Sequence, residues 1–200
     1  MTTRTAFKQS PPSSKRERES MPSDSALLLS VADGDLGPLG ALFDRHHEPV
    51  RQFLLRAAPN AADVDDLVQE TFLTAARAAA SFDGRESALP FLLGIAVRLM
   101  RRKKRTFARL RALYDAFAGA PTPAAKTPEE QTGTAEEGAM LRDAIAKLSE
   151  DRRLALVMVE YSGMSGVEVA RVLGVPVGTV WRRLHEARTE LRSALERGTR

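Results

Sequence analysis

The sequence contains no cysteine, so it forms neither disulfide bonds nor zinc sites with thiolate ligands, and it fits a reducing compartment. No apolar run approaches the roughly 18 residues of a membrane span, and the N-terminus lacks the apolar core of a signal peptide. No glycine-rich loop that would cradle a phosphate is present, and no nucleophile, base and orienting group cluster in one motif. We therefore expect a cytoplasmic protein that does not insert into membranes, is not an enzyme, and binds no metal or cofactor.

Aromatic residues are also scarce, at 6% of the chain, whereas the helix-favouring residues alanine, leucine, arginine and glutamate are abundant. This composition predicts an all-α protein. The formal net charge is only +4, so the distribution of charge along the chain is more informative than its sum.

Two stretches of distinctive composition divide the chain. Residues 1–23 are rich in serine, threonine and proline without a periodic apolar pattern, which predicts a disordered tail. Residues 119–138 are rich in proline, threonine, alanine and glycine and carry four glutamates, which predicts a flexible acidic linker. Two small helical domains remain, at residues 24–118 and 139–197.

The C-terminal domain contains a predicted helix-turn-helix between Ser165 and Arg188. Ser165 and Glu168 have the spacing of a capping box, which marks the start of the first helix. Gly174 provides a helix end, and Pro176 suits the first position of the second helix. The apolar residues that recur at helical spacing, and should form the buried stripe of the second helix, are Val177, Val180, Leu184, Ala187 and Leu191.

The opposite face of this second helix carries side chains that could reach base edges in a major groove, with Arg183 and Arg188 placed to meet phosphates. The alternative is an amphipathic hairpin in a helical bundle, with solvated charges. Ala170 and Gly174 allow the close helix packing of a tight turn and favour DNA binding. The outward face comprises Gly178, Thr179, Trp181, Arg182, His185 and Glu186.

The N-terminal domain begins with a short helix from Asp24, which the Gly34–Gly37 stretch ends. A longer helix follows, and Pro49 could kink it. His46 and His47 lie there without a ligand set at metal spacing, so we interpret them as ordinary packing or surface histidines.

An amphipathic helix is predicted from the cap at Asn60 to Phe82, and one face of it is acidic. Acidic residues in a first turn favour the helix dipole, but Glu70 lies too far along for that explanation. The acidic face therefore indicates either a positively charged protein partner or a solvated surface. It consists of Asp63, Asp66, Gln69 and Glu70.

The Asp83-Gly84 pair predicts a loop over residues 81–87, followed by a helix from about Ala88 to Phe117. The later part of this helix carries a dense basic run with no acidic residue among its members. Such a run repels itself unless an anion lies alongside, and a phosphate backbone is the obvious candidate; a solvated face is the alternative. The run contains Arg98, Arg101, Arg102, Lys103, Lys104, Arg105, Arg109 and Arg111.

Two segments together resemble the characteristic regions of the extracytoplasmic-function (ECF) sigma factors, the small members of the bacterial sigma-70 family. They are DVDDLVQETFLTAARAAASFDG in the N-terminal domain and GVEVARVLGVPVGTVWRRLHEAR in the C-terminal domain. The resemblance covers roughly residues 39–195, and the two motifs in this order are highly specific.

The resemblance implies a subunit that binds core RNA polymerase through the β′ clamp helices and the β flap, recognises promoter DNA and initiates transcription. It also implies an anti-sigma protein as a regulator. The implied polymerase-binding residues are Asp63, Asp66, Gln69 and Glu70. For the minus-10 element, the implied residues are Phe82, Arg85, Ser87, Phe91, Arg98, Arg101, Arg102, Lys103, Lys104 and Arg105. For the minus-35 element, they are Thr179, Trp181, Arg182, Arg183, His185, Glu186 and Arg188.

Some positions depart from the family pattern. Ala76 and Phe91 stand where tryptophan is common, Pro90 is expected to interrupt the helix after the loop, and Trp181 and Glu186 replace small polar or basic residues.

Two other functions compete with a sigma factor. One is a stand-alone helix-turn-helix regulator that does not bind polymerase, which the acidic and basic faces of the first domain disfavour. The other is an enzyme, which no motif supports.

Overall fold

The computed structural model describes residues 22–118 and 136–198, and side chains over 22–114 and 140–197. Every regular element in these residues is helical, which confirms the predicted all-α class. None of the described helices is long and apolar enough to span a membrane. Most of the predicted tail and linker, at residues 1–21 and 119–135, lies outside the described residues. The helices are α1 Asp24–Ala32, α2 Pro38–Ala57, α3 Val64–Arg77, α4 Leu89–Ala118, α5 Glu136–Lys147, α6 Glu150–Leu156, α7 Gly166–Leu173 and α8 Val177–Gly198.

The first two helices follow the predicted pattern. The Ser23 side chain accepts a hydrogen bond from the Ala26 N–H and caps α1. Helix α2 begins with Pro38. Proline lacks an N–H group, but N–H groups at a helix start have no partner within the helix, so proline is tolerated there. The helix continues through Pro49. Most large apolar residues of both helices are buried in the core, whereas Leu29, Phe43 and Leu55 are exposed; the buried ones include Leu27, Leu28, Val31, Leu42, Val50, Phe53 and Leu54.

Helix α3 is shorter than the sequence predicts. Asn60 caps a single 3₁₀ turn at Ala61–Asp63, and α3 then ends at Arg77 rather than at Phe82. Ala78 leaves helical geometry, with φ −101° and ψ 10°, and a second 3₁₀ turn covers Ala79–Ser81. The segment is amphipathic as predicted, since its apolar residues Val64, Leu67, Val68, Phe72, Ala75 and Ala79 are all buried.

Helix α4 starts at Leu89, so Pro90 lies in its first turn and does not interrupt it. The prediction of an interruption was wrong because N–H groups of a first turn have no partner within the helix, and proline loses nothing there. On the apolar face of α4, Leu92, Ile95, Ala96 and Leu99 are buried and Phe91 is partly buried.

The C-terminal unit, α5–α8, differs from prediction at its start. Helix α5 begins at Glu136, so the last three residues of the predicted linker are helical. Ser149 occupies the N-cap position of α6, but its side chain makes no capping hydrogen bond. Helix α6 runs into a π-helical turn at Val157–Tyr161 before α7 begins.

The C-terminal unit packs against the N-terminal unit, α1–α4, and the two share one continuous apolar cluster. A Cβ at Gly94 of α4 would lie 3.8 Å from both methyl groups of Val172 in α7. The guanidinium of Arg56 lies 4.8 Å from the ring centre of Tyr161, a cation–π distance. Glycine at position 94 therefore allows α4 and α7 to approach closely.

We predict that Gly94→Leu separates the two units, because the added side chain would occupy space that Val172 now fills. The radius of gyration of the free protein, measured by small-angle X-ray scattering, should increase. Gly94→Ala is the matched control, since its Cβ would make ordinary van der Waals contact. That control should stabilise α4 by about 0.5–1 kcal/mol through helix propensity. An unchanged radius for Gly94→Leu would contradict the prediction.

Candidate nucleic-acid interface

The first helix of the helix-turn-helix is capped as predicted. The Ser165 N–H donates to Glu168 Oε2 at 2.8 Å, and the Glu168 N–H donates to Ser165 Oγ at 3.3 Å. Hydrogen bonds from the Ser165 hydroxyl and backbone lower the pKa of the Glu168 carboxyl. Gly174 ends α7 in the left-handed region, at φ 67°. The start and the turn of the motif are therefore those that the sequence specifies.

The second helix, α8, begins at Val177, immediately after Pro176. Val180, Leu184 and Ala187 are buried, and Leu191 packs partly against the core. The assignment of Val177 to this stripe was wrong, because its side chain is 41% exposed. Val177 is the first residue of α8, and the buried part of the stripe starts one turn later.

The predicted outward face of α8 is accessible to different degrees. Trp181 is 50% exposed, and Arg182 and His185 are also exposed, whereas Thr179 and Glu186 are partly covered. The Trp181 indole lies against the first residue of α7, since a Cβ at Gly166 would be 2.5 Å from its Cζ2 atom. The indole is thus held by the neighbouring helix and does not project freely.

Several polar groups of α8 pair with carboxylates or guanidinium groups of α6 and its π turn. Arg183 Nη2 lies 2.5 Å from Asp151 Oδ2, and Arg188 pairs with Glu160. Arg152 Nε donates to Glu186 Oε2 at 3.0 Å. Arg182 makes no ion pair within the described residues, so it is the basic side chain of the predicted set on α8 that is available to a ligand.

The loop between α3 and α4 holds the first predicted minus-10 residues. The rings of Phe82 and Phe91 pack edge to face with centroids 5.4 Å apart. Gly84 adopts φ 72°, and Arg85 Nε donates to Asp83 Oδ2 at 2.7 Å, which lowers the pKa of Asp83. Ser87 Oγ accepts a hydrogen bond from the Leu89 N–H at 3.2 Å. The structure thus brings Phe82 and Phe91 into contact and places Arg85 and Ser87 along one cleft, and no hydrogen bond, ion pair or ring contact joins the two pairs within the described residues.

The basic run of α4 lies beside acidic side chains from both units. Arg101 Nε and Lys104 Nζ contact the carboxylate of Glu150 at 3.0 and 2.6 Å. Burial raises the pKa of Glu150, but the hydrogen bonds from Lys104 and Arg101 outweigh it and lower the net value. The anions that balance this run in the described structure are therefore carboxylates of the same chain.

The acidic face of α3 supplies other partners of this run. Lys103 Nζ lies 2.6 Å from Asp63 Oδ1, and Arg102 pairs with Glu70. The Asp66 side chain is 82% exposed, and Gln69 is also exposed. The predicted polymerase-binding set is thus partly paired with the predicted DNA-binding set, a contact that the sequence analysis did not anticipate. Arg98 and Arg105 are exposed and form no ion pair in the described part of the chain.

The sequence analysis also missed a buried polar cluster around Asp24, which is 3% exposed. Its carboxylate accepts hydrogen bonds from Arg45 Nη1 at 2.5 Å, His46 Nε2 at 2.7 Å and the Ala88 N–H at 2.7 Å. Burial raises the pKa of Asp24, but the bonds from Ala88, Arg45 and His46 outweigh it and leave the pKa lowered. Asp24 thus joins α1, α2 and the start of α4.

Family models match both units. The model for sigma-70 region 2 matches residues 42–110, and the model for sigma-70 region 4 matches residues 138–191. The ECF RNA polymerase sigma factor SigL of Mycobacterium tuberculosis is 31% identical over 172 residues, covering 86% of this chain and 96% of the relative. The chain belongs to the ECF sigma factors.

Another relative and two solved structures also match most of the chain. The ECF RNA polymerase sigma-E factor of Haemophilus influenzae is 29% identical over 181 residues, covering 86% of this chain and 95% of the relative. The solved structure of CnrH in complex with the cytosolic domain of CnrY has a TM-score of 0.63 and 28% identity. It covers 86% of this chain and 97% of CnrH. The sigma factor RpoE of Bartonella quintana, solved in complex with the anti-sigma factor NepR, shares the fold with a TM-score of 0.66. The two sequences are 23% identical, and the match covers 77% of this chain and 94% of RpoE.

The protein is accordingly an RNA polymerase sigma factor, which acts with core polymerase on promoter DNA. Sigma factors are regulatory subunits and not catalysts. The membership confirms the predicted class, and it does not favour the alternative of a stand-alone regulator. The helix-turn-helix described above lies within the segment that matches region 4.

We predict that Gly166→Ala displaces the Trp181 indole, because the added methyl group would lie 2.5 Å from Cζ2. Trp181 is the only tryptophan of the chain, so its fluorescence emission reports the change directly. Gly178→Ala is the matched control, since a Cβ there meets no atom within 4 Å. Identical emission spectra for Gly166→Ala and the wild type would show that the indole is not held against α7.

We also predict that Asp24 makes the stability of the fold depend on pH. Folding lowers the pKa of Asp24. The contribution of its carboxylate to the free energy of unfolding is therefore complete above the unfolded pKa of about 3.9, and it is lost as the pH falls through the lower pKa of the folded state. Asp24→Asn should lower the free energy of unfolding at pH 7 by about 2–3 kcal/mol, the cost of lost hydrogen bonds to a charged group.

Urea unfolding of both proteins between pH 7 and pH 2.5 tests this, and the difference between them should shrink at the acidic end. Asp44→Asn on the exposed face of α2 is the control and should match the wild type throughout. A difference that stays constant over the whole range would rule out the carboxylate as its source.

Proposed function

We propose that this sigma factor divides promoter recognition between its two units. The exposed face of α8 reads the minus-35 element, with Trp181, Arg182 and His185 at the base edges and Thr179, Arg183, Glu186 and Arg188 around them. The loop before α4, with Phe82, Arg85, Ser87 and Phe91, captures an unstacked base of the minus-10 element. The basic run of α4, at Arg98 and residues 101–105, follows the phosphates.

The observation that supports this proposal is the pairing of the α4 run with carboxylates. Lys104 and Arg101 contact Glu150, and Lys103 contacts Asp63, at distances where phosphate oxygens would be equally good acceptors. The three basic side chains are between 31% and 57% exposed, and the carboxylates of Glu150 and Asp63 are 21% and 29% exposed; such partly exposed pairs contribute only about 0.2–1 kcal/mol each. A DNA backbone therefore needs to displace only weak contacts.

Opening these contacts separates Glu150 and Asp151 of α6 from α4, whereas the contact of Asp151 with Arg183 lies within the C-terminal unit. Arg101 of α4 and Arg183 of α8 both contact Asp151, at 3.5 and 2.5 Å. Promoter binding therefore favours an arrangement in which the two units have moved apart and phosphates replace these carboxylates. Salt should assist the separation, because it screens exposed ion pairs.

The exposed acidic face of α3 is proposed to bind the β′ clamp helices of core polymerase, through Asp63, Asp66, Gln69 and Glu70, while the C-terminal unit meets the β flap. The solved structure of CnrH contains the cytosolic domain of CnrY, and that of RpoE contains the anti-sigma factor NepR. By that likeness, we propose that an anti-sigma protein holds this chain inactive in the cytoplasm until a signal arrives. The chain itself has no catalytic turnover in this proposal.

Charge reversal at Asp66 tests the polymerase contact. Asp65 and Asp66 are 83% and 82% exposed neighbours on α3, but only Asp66 belongs to the proposed face. Asp66→Lys should weaken association with core polymerase at least about tenfold, because like charges would then oppose each other at the interface. Asp65→Lys should retain association and should direct transcription from the same start sites as the wild type.

The measurement is co-purification with core RNA polymerase, followed by mapping of start sites in a reconstituted reaction. Equal loss in both variants would indicate a general charge effect, and full activity of Asp66→Lys would remove this residue from the polymerase contact.

A further inference from the structure

The loop proposed to capture the minus-10 base has little backbone support of its own. Residues 83–87 form no backbone–backbone hydrogen bond with each other or with neighbouring elements within the described residues. On one side, Arg85, Glu86 and Ser87 line an open cleft of about 620 Å³. Apart from the ion pair between Arg85 and Asp83, the shape of the loop therefore depends on side chains that reach it from elsewhere.

Two consecutive residues at the start of α1 supply this support. The Ser25 hydroxyl donates to the Arg85 carbonyl at 2.8 Å, and the Asp24 carboxylate accepts from the Ala88 N–H at 2.7 Å. These bonds join residues 60 and 64 positions apart and hold the loop at Arg85 and at its last residue, Ala88. Ser87 lies between these two held points, and its hydroxyl oxygen accepts a hydrogen bond from the N–H of Leu89, the first residue of α4.

The Asp24 carboxylate is itself fixed from a second direction. Arg45 and His46 of α2 both donate to it, and the Arg45 Nη2 also donates to the Pro22 carbonyl at 3.0 Å. Because His46 Nε2 contacts an ionised carboxylate, it acts as the donor in this pair. Helix α2 thus orients the carboxylate that holds the loop, and the carboxylate is not free to follow loop motions.

We propose that Asp24 and Ser25 are positioning residues, which keep the loop at Phe82–Ala88 in the geometry that captures a base without touching DNA themselves. The proposal rests on the assignment of this loop to the minus-10 element. Its physical basis is preorganisation: a loop that already has the binding geometry loses little further conformational entropy when the base binds.

Ser25→Ala tests the proposal with little risk to the fold, because alanine favours a helix and the apolar contacts of α1 at Leu27, Leu28 and Val31 remain. Holoenzyme assembled from core polymerase and the full chain is used at saturating concentration, on a promoter that the wild type transcribes. The rate of promoter opening is followed on the duplex and on the same promoter with a pre-melted minus-10 region.

Ser25→Ala should slow opening of the duplex about fivefold, which is the factor expected for one lost hydrogen bond, and should leave the pre-melted template much less affected. Ser25→Thr retains a hydroxyl and should restore the rate. Ser30→Ala is the matched control, since its hydroxyl bonds only the Ala26 carbonyl within α1. Hydrogen exchange of the Ala88 N–H, which Asp24 now holds, should be faster in Ser25→Ala alone.

Two results would overturn the proposal: wild-type opening by Ser25→Ala on the duplex, or equal slowing on both templates. Phe82→Ala distinguishes a wrong positioning role for Ser25 from a wrong assignment of the loop to the minus-10 element. If Phe82→Ala slows opening and Ser25→Ala does not, only the positioning role is wrong. If neither variant slows opening, the loop does not contact the minus-10 element, and the assignment fails as well.

Discussion

The positive charge on the middle of α4 is the constraint on which the arrangement of this protein depends. Five consecutive basic residues, 101–105, repel one another, and in the described structure carboxylates from three other helical segments pair with the four at 101–104. Asp63 and Glu70 belong to the N-terminal unit, but Glu150 belongs to the C-terminal unit. The ion pairs that neutralise the basic run of α4 therefore also join the two units.

These pairs are partly exposed and individually weak, while the apolar contact behind them is continuous. The arrangement is consequently stable in isolation and still open to competition from a polyanion. A sigma factor needs both properties, since it must remain folded without DNA and present its basic surfaces to DNA at a promoter. Glu150 and Asp151 of α6 face Arg101 and Lys104 of α4, so one movement of the C-terminal unit removes both carboxylates from that basic surface.

A second constraint acts inside the N-terminal unit, where burial makes polar contacts worth more than at the surface. Asp24 is almost fully buried and satisfies its oxygens with Arg45, His46 and the amide of Ala88. Its partners come from α2 and from the loop before α4, so a single carboxylate fixes the relation of three elements. The loop that we assign to DNA thus depends on residues that lie far from it in sequence.

Local signals in the sequence identified most of the secondary structure. The Ser165–Glu168 capping box, the left-handed Gly174 and the buried stripe at Val180, Leu184 and Ala187 all occur where the spacing predicts them. The errors lie at helix ends, at Val177 and between Arg77 and Phe82, where periodicity continues but the backbone leaves the helix. The paired motifs also predicted the sigma-factor class, because each of them reflects a local pattern.

The sequence by itself determined which residues form helices, which faces are apolar, and which faces are acidic or basic, because these depend on neighbours within one or two turns. Only the tertiary structure decided where those faces go. It placed Glu150 against Arg101, the Trp181 indole against Gly166, and Asp24 beneath Ala88. These contacts join residues 15 to 64 positions apart, and no local periodicity encodes a meeting that depends on how whole helices pack.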